Sequence, residues 1–252
     1  MSDFNRNVTA RGGFADRTAA VDAGLRAYML RVYNYMAAAV ALTGVVAWLC
    51  FQNAVVTNEA GAITGLTSFG QMLLGGYTPI VLMLATLGLV FFISFRIHTL
   101  QYTTALGLFM LYAALLGAAL TSVLVAYTGA SVARVFFISA ASFGALSLYG
   151  YTTQRDLSAM GSFLIMGLFG IIIASLVNIF LKSSGLDWAI SVIGVGVFAG
   201  LTAYDTQRIK EMYDSMDDDG TMGRKAVMGA LSLYLDFINL FLMLLRLVGD
   251  RR

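Results

Sequence analysis

One proline, one cysteine and one histidine occur in 252 residues, and charged side chains make up only 12% of the chain. Each shortage excludes a class of function. The lone Cys50 can form neither an internal disulfide nor a thiolate metal cluster, and it reads as a small apolar side chain. A single histidine, His98, is too few for an H-E-x-x-H metalloprotease. It also lies in a link between apolar runs, so the facing serine and histidine of an intramembrane serine protease are missing. The last apolar run holds no lysine for a retinal Schiff base. A formal charge of +2 is too small to suggest nucleic acid. A soluble domain of this length carries about twice the charged fraction.

What is present is apolar, at 59% of residues, and it comes in long blocks. About 20 apolar residues of helix cross a hydrocarbon core. Seven such runs are expected, near Val32–Gln52, Pro79–Phe95, Thr103–Ala126, Val132–Tyr151, Ser158–Leu181, Trp188–Tyr204 and Val227–Val248. All must be helices, because a spanning segment has to satisfy its own backbone hydrogen bonds. The fold class is therefore all-α: one polytopic domain over 27–252 in contact with the lipid bilayer, preceded by a flexible tail over 1–26. That tail lacks the apolar core and cleavage site of a signal peptide. Short links near Arg96–Tyr102, Thr152–Leu157 and Lys182–Asp187 force antiparallel neighbours. Two links are longer, Asn53–Thr78 and Asp205–Ala226. The acidic cluster in the second of these, Asp214 to Asp219, fails the EF-hand pattern because Met228 stands where the loop needs Glu. It reads as a solvated loop.

Eleven of the sixteen lysines and arginines fall on the tail side of this topology and five on the other. The positive-inside rule then puts the N-terminus in the cytoplasm and, with seven spans, the C-terminus outside. A six-span alternative would make the last run re-entrant. Gly196-x-x-x-Gly200, together with Gly167, Gly170 and Ala174, supplies small-residue faces for close helix packing.

Asp236 is the anomaly. It lies mid-run in the last span, where a carboxylate costs roughly 2.5–3.5 kcal/mol on insertion scales. Ser232, Asp236, Asn239, Met243 and Arg246 recur at steps of four and three, which places them on one helical stripe. A stripe that begins with three polar residues should face the protein interior or a water-filled path. Asp205, at the end of the preceding run, is the expected partner of Asp236, and Arg96 is a possible counter-ion. The blander reading has Asp205 hydrated at the interface and Asp236 in a buried helix–helix hydrogen bond. No nucleophile–base pair and no metal constellation is found, so neither an enzyme nor a resident cofactor is expected.

The stretch Leu231-Ser-Leu-Tyr-Leu-Asp-Phe-Ile-Asn-Leu-Phe-Leu-Met-Leu-Leu-Arg-Leu-Val-Gly249 resembles the C-terminal signature of the Bax inhibitor-1 family. Ala203-Tyr-Asp-Thr-Gln-Arg-Ile-Lys210 is similar to that family's sixth-span end, and the bacterial YccA-like and YetJ-like branch is nearest. The resemblance runs from the first span onward. It implies a seven-helix fold with the last helix central, and a pH-dependent calcium leak. It further implies that Asp205 and Asp236 form a proton-sensing pair, with Arg96 as a latch to Asp205 and with weak, transient calcium at the two carboxylates. Ser232 and Asn239 would then line the pore beside them. An acidic residue found in the second span of some members is absent here. Bacterial relatives are also linked to the membrane-bound AAA protease FtsH. The rival expectation is accordingly a membrane scaffold that restrains a protease or another integral protein.

Overall fold

In a computed structural model, residues 3–58 and 62–252 are described, with side chains from Val21 onward. The described residues form eight helices and one hairpin: α1 Asp3–Ala54, β1 Val55–Thr57, β2 Ile63–Leu66, α2 Ser68–Leu74, α3 Thr78–Arg96, α4 Tyr102–Ala126, α5 Gly129–Thr152, α6 Ser158–Leu181, α7 Ser184–Glu211 and α8 Asp219–Val248. Seven of them, all but α2, are long and apolar enough to cross a membrane. The protein is an all-α polytopic membrane protein, and the last run is a continuous helix rather than a re-entrant one. Most of the expected tail lies outside the residues whose side chains are described. Its last residues, Val21–Arg26, continue α1.

Sequence boundaries fall short at α1, which begins at Asp3 and not near Val32, and again at α7 and α8. The link expected over Asp205–Ala226 shrinks to 212–218, because α7 runs on to Glu211 and α8 already begins at Asp219. Hydropathy ends a run at its first polar cluster, whereas a helix ends where a cap stops it. Here the stop is Asp218, whose carboxylate accepts from the backbone N–H groups of Gly220 (3.0 Å) and Thr221 (3.2 Å) and caps α8. Asp217 pairs with Lys225 at 2.5 Å. Part of the acidic cluster thus starts a helix and is not only a solvated loop. The other long link folds into the antiparallel β1–β2 hairpin and the seven-residue α2, capped by the Thr67 hydroxyl. These elements are too short to show a period in the sequence.

α8 is the axis of the bundle. Of its most apolar 18-residue stretch 67% is buried, against 44% in α7 and 28% or less in every other span. α1, α4, α5 and α7 all pack on it, while α3 leans on α4 and α6 on α7. Aromatic rings lock the α8 flanks: Tyr234 meets Phe109 and Tyr112 edge-on, and Phe237 meets Phe136 and Phe143. At the α8 C-terminus, Thr128 N–H donates to the Asp250 carbonyl and Arg252 N–H to that of Ala126. The chain end is thereby strapped to the α4–α5 link. Arg134 pairs with Asp250 at 2.8 Å and Arg246 with Asp187 at 3.8 Å. Four of the five cations on this face (Arg134, Arg246, Arg251 over the Tyr127 ring, and Arg252, whose Nε donates to the Tyr127 carbonyl) are therefore engaged locally.

Candidate functional site: a carboxyl pair between α7 and α8

The polar stripe of α8 faces α7. Three of its members meet α7 residues in antiparallel order: Asp236 meets Asp205, Met243 lies on Gly194, and Arg246 reaches Asp187. The two long extensions make the first of these contacts possible. Had α7 stopped at Tyr204, Asp205 would have been in a loop. The glycines that admit α8 are Gly194, where a Cβ would stand 2.9 Å from Met243 Cγ, and Gly229, 3.0 Å from Ile209 Cγ2. Gly200, expected to serve this contact, instead receives Leu164 of α6, as Gly167 receives Val197, and Gly196 and Gly170 face open space.

The carboxyl groups of Asp205 and Asp236 are within hydrogen-bonding reach of each other. Asp236 is 5% exposed, and Asp205 is half-buried. Asp236 Oδ2 is buried with no N–H or O–H donor from any other described group. Burying such an atom without a donor costs more than a typical hydrogen bond returns. Two ionised carboxylates have no proton to offer each other. The satisfied form of this site is the one in which one of the pair carries a proton and donates it to the other. Thr202 and Thr206 hydroxyls beside Asp205 donate within their own helix, to the Phe198 and Thr202 carbonyls, and supply no donor to the pair.

The remaining expected site residues sit as follows. Asn239 is half-buried and donates to the Leu235 carbonyl of its own helix at 2.8 Å, and Ser232 is half-buried one turn before Asp236. Arg96 ends α3 exposed, and among the described residues no ion pair joins it to Asp205. The cation one turn along α7 from Asp205 is Arg208, and among the described residues no ion pair joins these two either. His98 is exposed in the α3–α4 link. Among the described residues no three His, Cys, Asp or Glu side chains converge as metal ligands.

Two further groups hold the site and were not singled out from the sequence. Gln207 spends both ends of its amide on the α5–α6 link, donating to the Arg155 carbonyl and accepting from Leu157 N–H, each at 2.8 Å. The Thr43 hydroxyl joins α1 to α4 and α8: it lies 2.9 Å from the Ala113 carbonyl and 2.6 Å from the Tyr234 hydroxyl.

Residues 25–252 match the family described as Inhibitor of apoptosis-promoting Bax1. RP147 of Rickettsia prowazekii is 48% identical over 257 residues, covering 100% of both chains. The inner membrane protein YbhL of Escherichia coli K12 is 48% identical over 232 residues, 91% of this chain and 94% of YbhL. A Caulobacter vibrioides protein is 45% identical over 259 residues, with both chains fully covered.

Proposed function

The chain belongs to the Bax inhibitor-1 family, and from that premise we propose that it is a proton-gated calcium leak of the bacterial inner membrane, with its N-terminus in the cytoplasm. The observation that carries this reading is the orphaned Asp236 Oδ2, which is buried against a second carboxyl and has no other donor. With one proton between them, Asp205 and Asp236 clasp α7 to α8. Loss of that proton sets two negative charges side by side. At about 4 Å and an effective dielectric of about 20 the repulsion is roughly 4 kcal/mol. A change of that size shifts a two-state equilibrium by about a thousandfold. Separation of α7 from α8 along the stripe would then open a path past Ser232 and Asn239.

The exposed doubled charge attracts a divalent cation but does not keep it. Calcium takes six to eight oxygen ligands, and this site brings two carboxylates. Passage and not storage is the function such a site serves. No enzymatic step is assigned to these residues.

Calcium influx into liposomes holding the purified protein, followed across pH, tests the proposal. Flux should rise with pH in the wild type. Asp236→Asn supplies a neutral amide donor to Asp205 and should flatten the profile. An Asp236→Asn protein with the wild-type pH profile would remove the pair from gating. A wild-type protein that passes no ion at any pH would leave the scaffold reading as the better account of the family fold.

A further inference from the structure

α1 packs on α4 and α8, and α5 packs on α7 and α8, so α1 and α5 flank a groove floored by Phe237 of α8. It encloses about 1120 Å³, at the large end of small-molecule sites. Its walls are apolar along their length: Met29, Met36, Val40 and Val45 on α1 face Phe136, Phe143 and Leu148 on α5. The two hydroxyls in the middle are already used. Tyr33 and Ser147 bond each other at 2.6 Å, and Ser147 also bonds Thr206 at 2.9 Å. The lining therefore offers nothing to a polar solute along most of its length.

Charge appears at one end only. Arg26 is the one formally charged residue that lines the groove, and among the described residues it has no ion-pair partner. Tyr151 lies at the same end of α5, and Lys210 is fastened to it: Nζ donates to the Tyr151 carbonyl at 2.9 Å and sits 5.3 Å from the ring centroid. One cation, Arg26, thus stands at the mouth of an apolar trough that runs along the membrane-spanning helices, and Lys210 is held on Tyr151 outside the lining. The trough measures roughly 28 Å from Arg26 to Val45 at 1.5 Å per residue. Basic residues at the mouth of a cleft between spanning helices are the recognised chemistry for an acidic lipid headgroup.

We propose that the α1–α5 groove is a binding site for an anionic glycerophospholipid, its acyl chain along Met36, Phe143 and Phe237 and its phosphate on Arg26. This is independent of calcium conduction. It places an occupant against Phe237, the residue next to Asp236, and beside Ser147, which bonds Thr206, the residue next to Asp205.

Two glycines make the site testable without damage to the core. Gly44 on one wall and Gly144 on the other line the groove, and a Cβ at either would meet nothing within 4 Å. A large side chain there leaves the backbone through open space and projects into the trough. Delipidated protein in detergent, titrated with dioleoyl phosphatidylglycerol or dioleoyl phosphatidylcholine and weighed by native mass spectrometry, reads the occupancy directly. The wild type should retain phosphatidylglycerol in preference to phosphatidylcholine. Arg26→Gln should weaken phosphatidylglycerol by about fivefold, the loss expected for one basic contact, and leave phosphatidylcholine unchanged, while Arg26→Lys keeps the preference. Gly144→Phe should abolish binding of both lipids. Gly44→Phe, from the opposite wall, should do the same and carries the test if the first variant does not fold. Equal binding of the two lipids with no effect of Arg26→Gln would overturn the headgroup assignment. Undiminished adducts in folded Gly44→Phe or Gly144→Phe would overturn the groove as the site. A dimer that excludes lipid would give the face to a second copy of the chain and overturn the proposal as well.

Discussion

Gly150 of α5 rests directly on the backbone of Ala203 in α7: a Cβ at position 150 would overlap the Ala203 carbonyl oxygen. Ala203 lies two residues before Asp205, so this contact sets how closely the helix that carries Asp205 approaches α5. Backbone cannot swing aside as a side chain can. Gly150→Ala should therefore destabilise the protein by about 1–3 kcal/mol, the usual range for overpacking. Gly144→Ala, six residues earlier on the open groove, should be neutral or gain up to about 1 kcal/mol from helix propensity. Thermal unfolding of the two variants in the same detergent checks the ranking, and equal midpoints would contradict it.

The two aspartates should behave as one unit. Either Asp205→Asn or Asp236→Asn removes the second negative charge from the clasp, so each alone should flatten the pH dependence of calcium flux. The double variant should be no flatter than the singles, because neighbours that act through one shared proton are not additive. Flux profiles of the three variants, measured side by side, make the comparison. A double variant with an effect equal to the sum of two partial ones would mean that the carboxyls act separately.

Much of this site was legible in the sequence because it rests on helical period. Steps of four and three from Ser232 to Arg246 define a stripe whatever surrounds it, and an aspartate inside an apolar run marks that stripe as inward-facing. Asp205 was legible as the partner, since it is the one acid near the end of the adjacent run. Other features depend on how helices lie across one another, which no period records. Arg96 suggests itself as a counter-ion because it ends an apolar run on the same side, but its helix α3 leans on α4. The pair Gly196 and Gly200 matched a packing motif, but Gly194 is the one that meets α8. The α1–α5 groove forms because the two helices touch at little more than the Tyr33–Ser147 hydrogen bond, a spacing that leaves no mark in either run.

Thr43 and Tyr234 are predicted to be unequal partners. The Thr43 hydroxyl can donate to the Ala113 or the Ala39 carbonyl, so the phenol is left to donate to Thr43. Thr43→Val strands a fully buried phenol hydroxyl and should cost about 1–3 kcal/mol. Tyr234→Phe removes that hydroxyl together with its need for a partner, leaves Thr43 bonded to the carbonyls and keeps the ring contacts to Phe109 and Tyr112. It should cost less. Unfolding midpoints in the reverse order would show that Tyr234 finds another acceptor.

Asp218 couples the start of α8 to acid. The Thr221 hydroxyl, at 2.5 Å, and the backbone N–H groups of Thr221 and Gly220 hold its carboxylate below the ordinary value. A group lowered in the folded state contributes its full stability above its unfolded pKa and loses it as pH falls through the lowered value. The first turn of α8 should therefore be best protected at neutral pH and should loosen on acidification below the ordinary carboxylate range. Amide hydrogen exchange of residues 219–223, corrected for the intrinsic rate at each pH, reads this directly. Asp218→Ala should exchange fast at every pH, because the cap is gone. Asp218→Asn keeps a capping oxygen without a titrating charge, so it should stay protected and lose the acid response. If Asp218→Asn exchanges like Asp218→Ala, the carboxylate's charge and not its hydrogen bonds holds the turn. A wild type with no acid response would mean that the cap is not the element that limits fraying of α8.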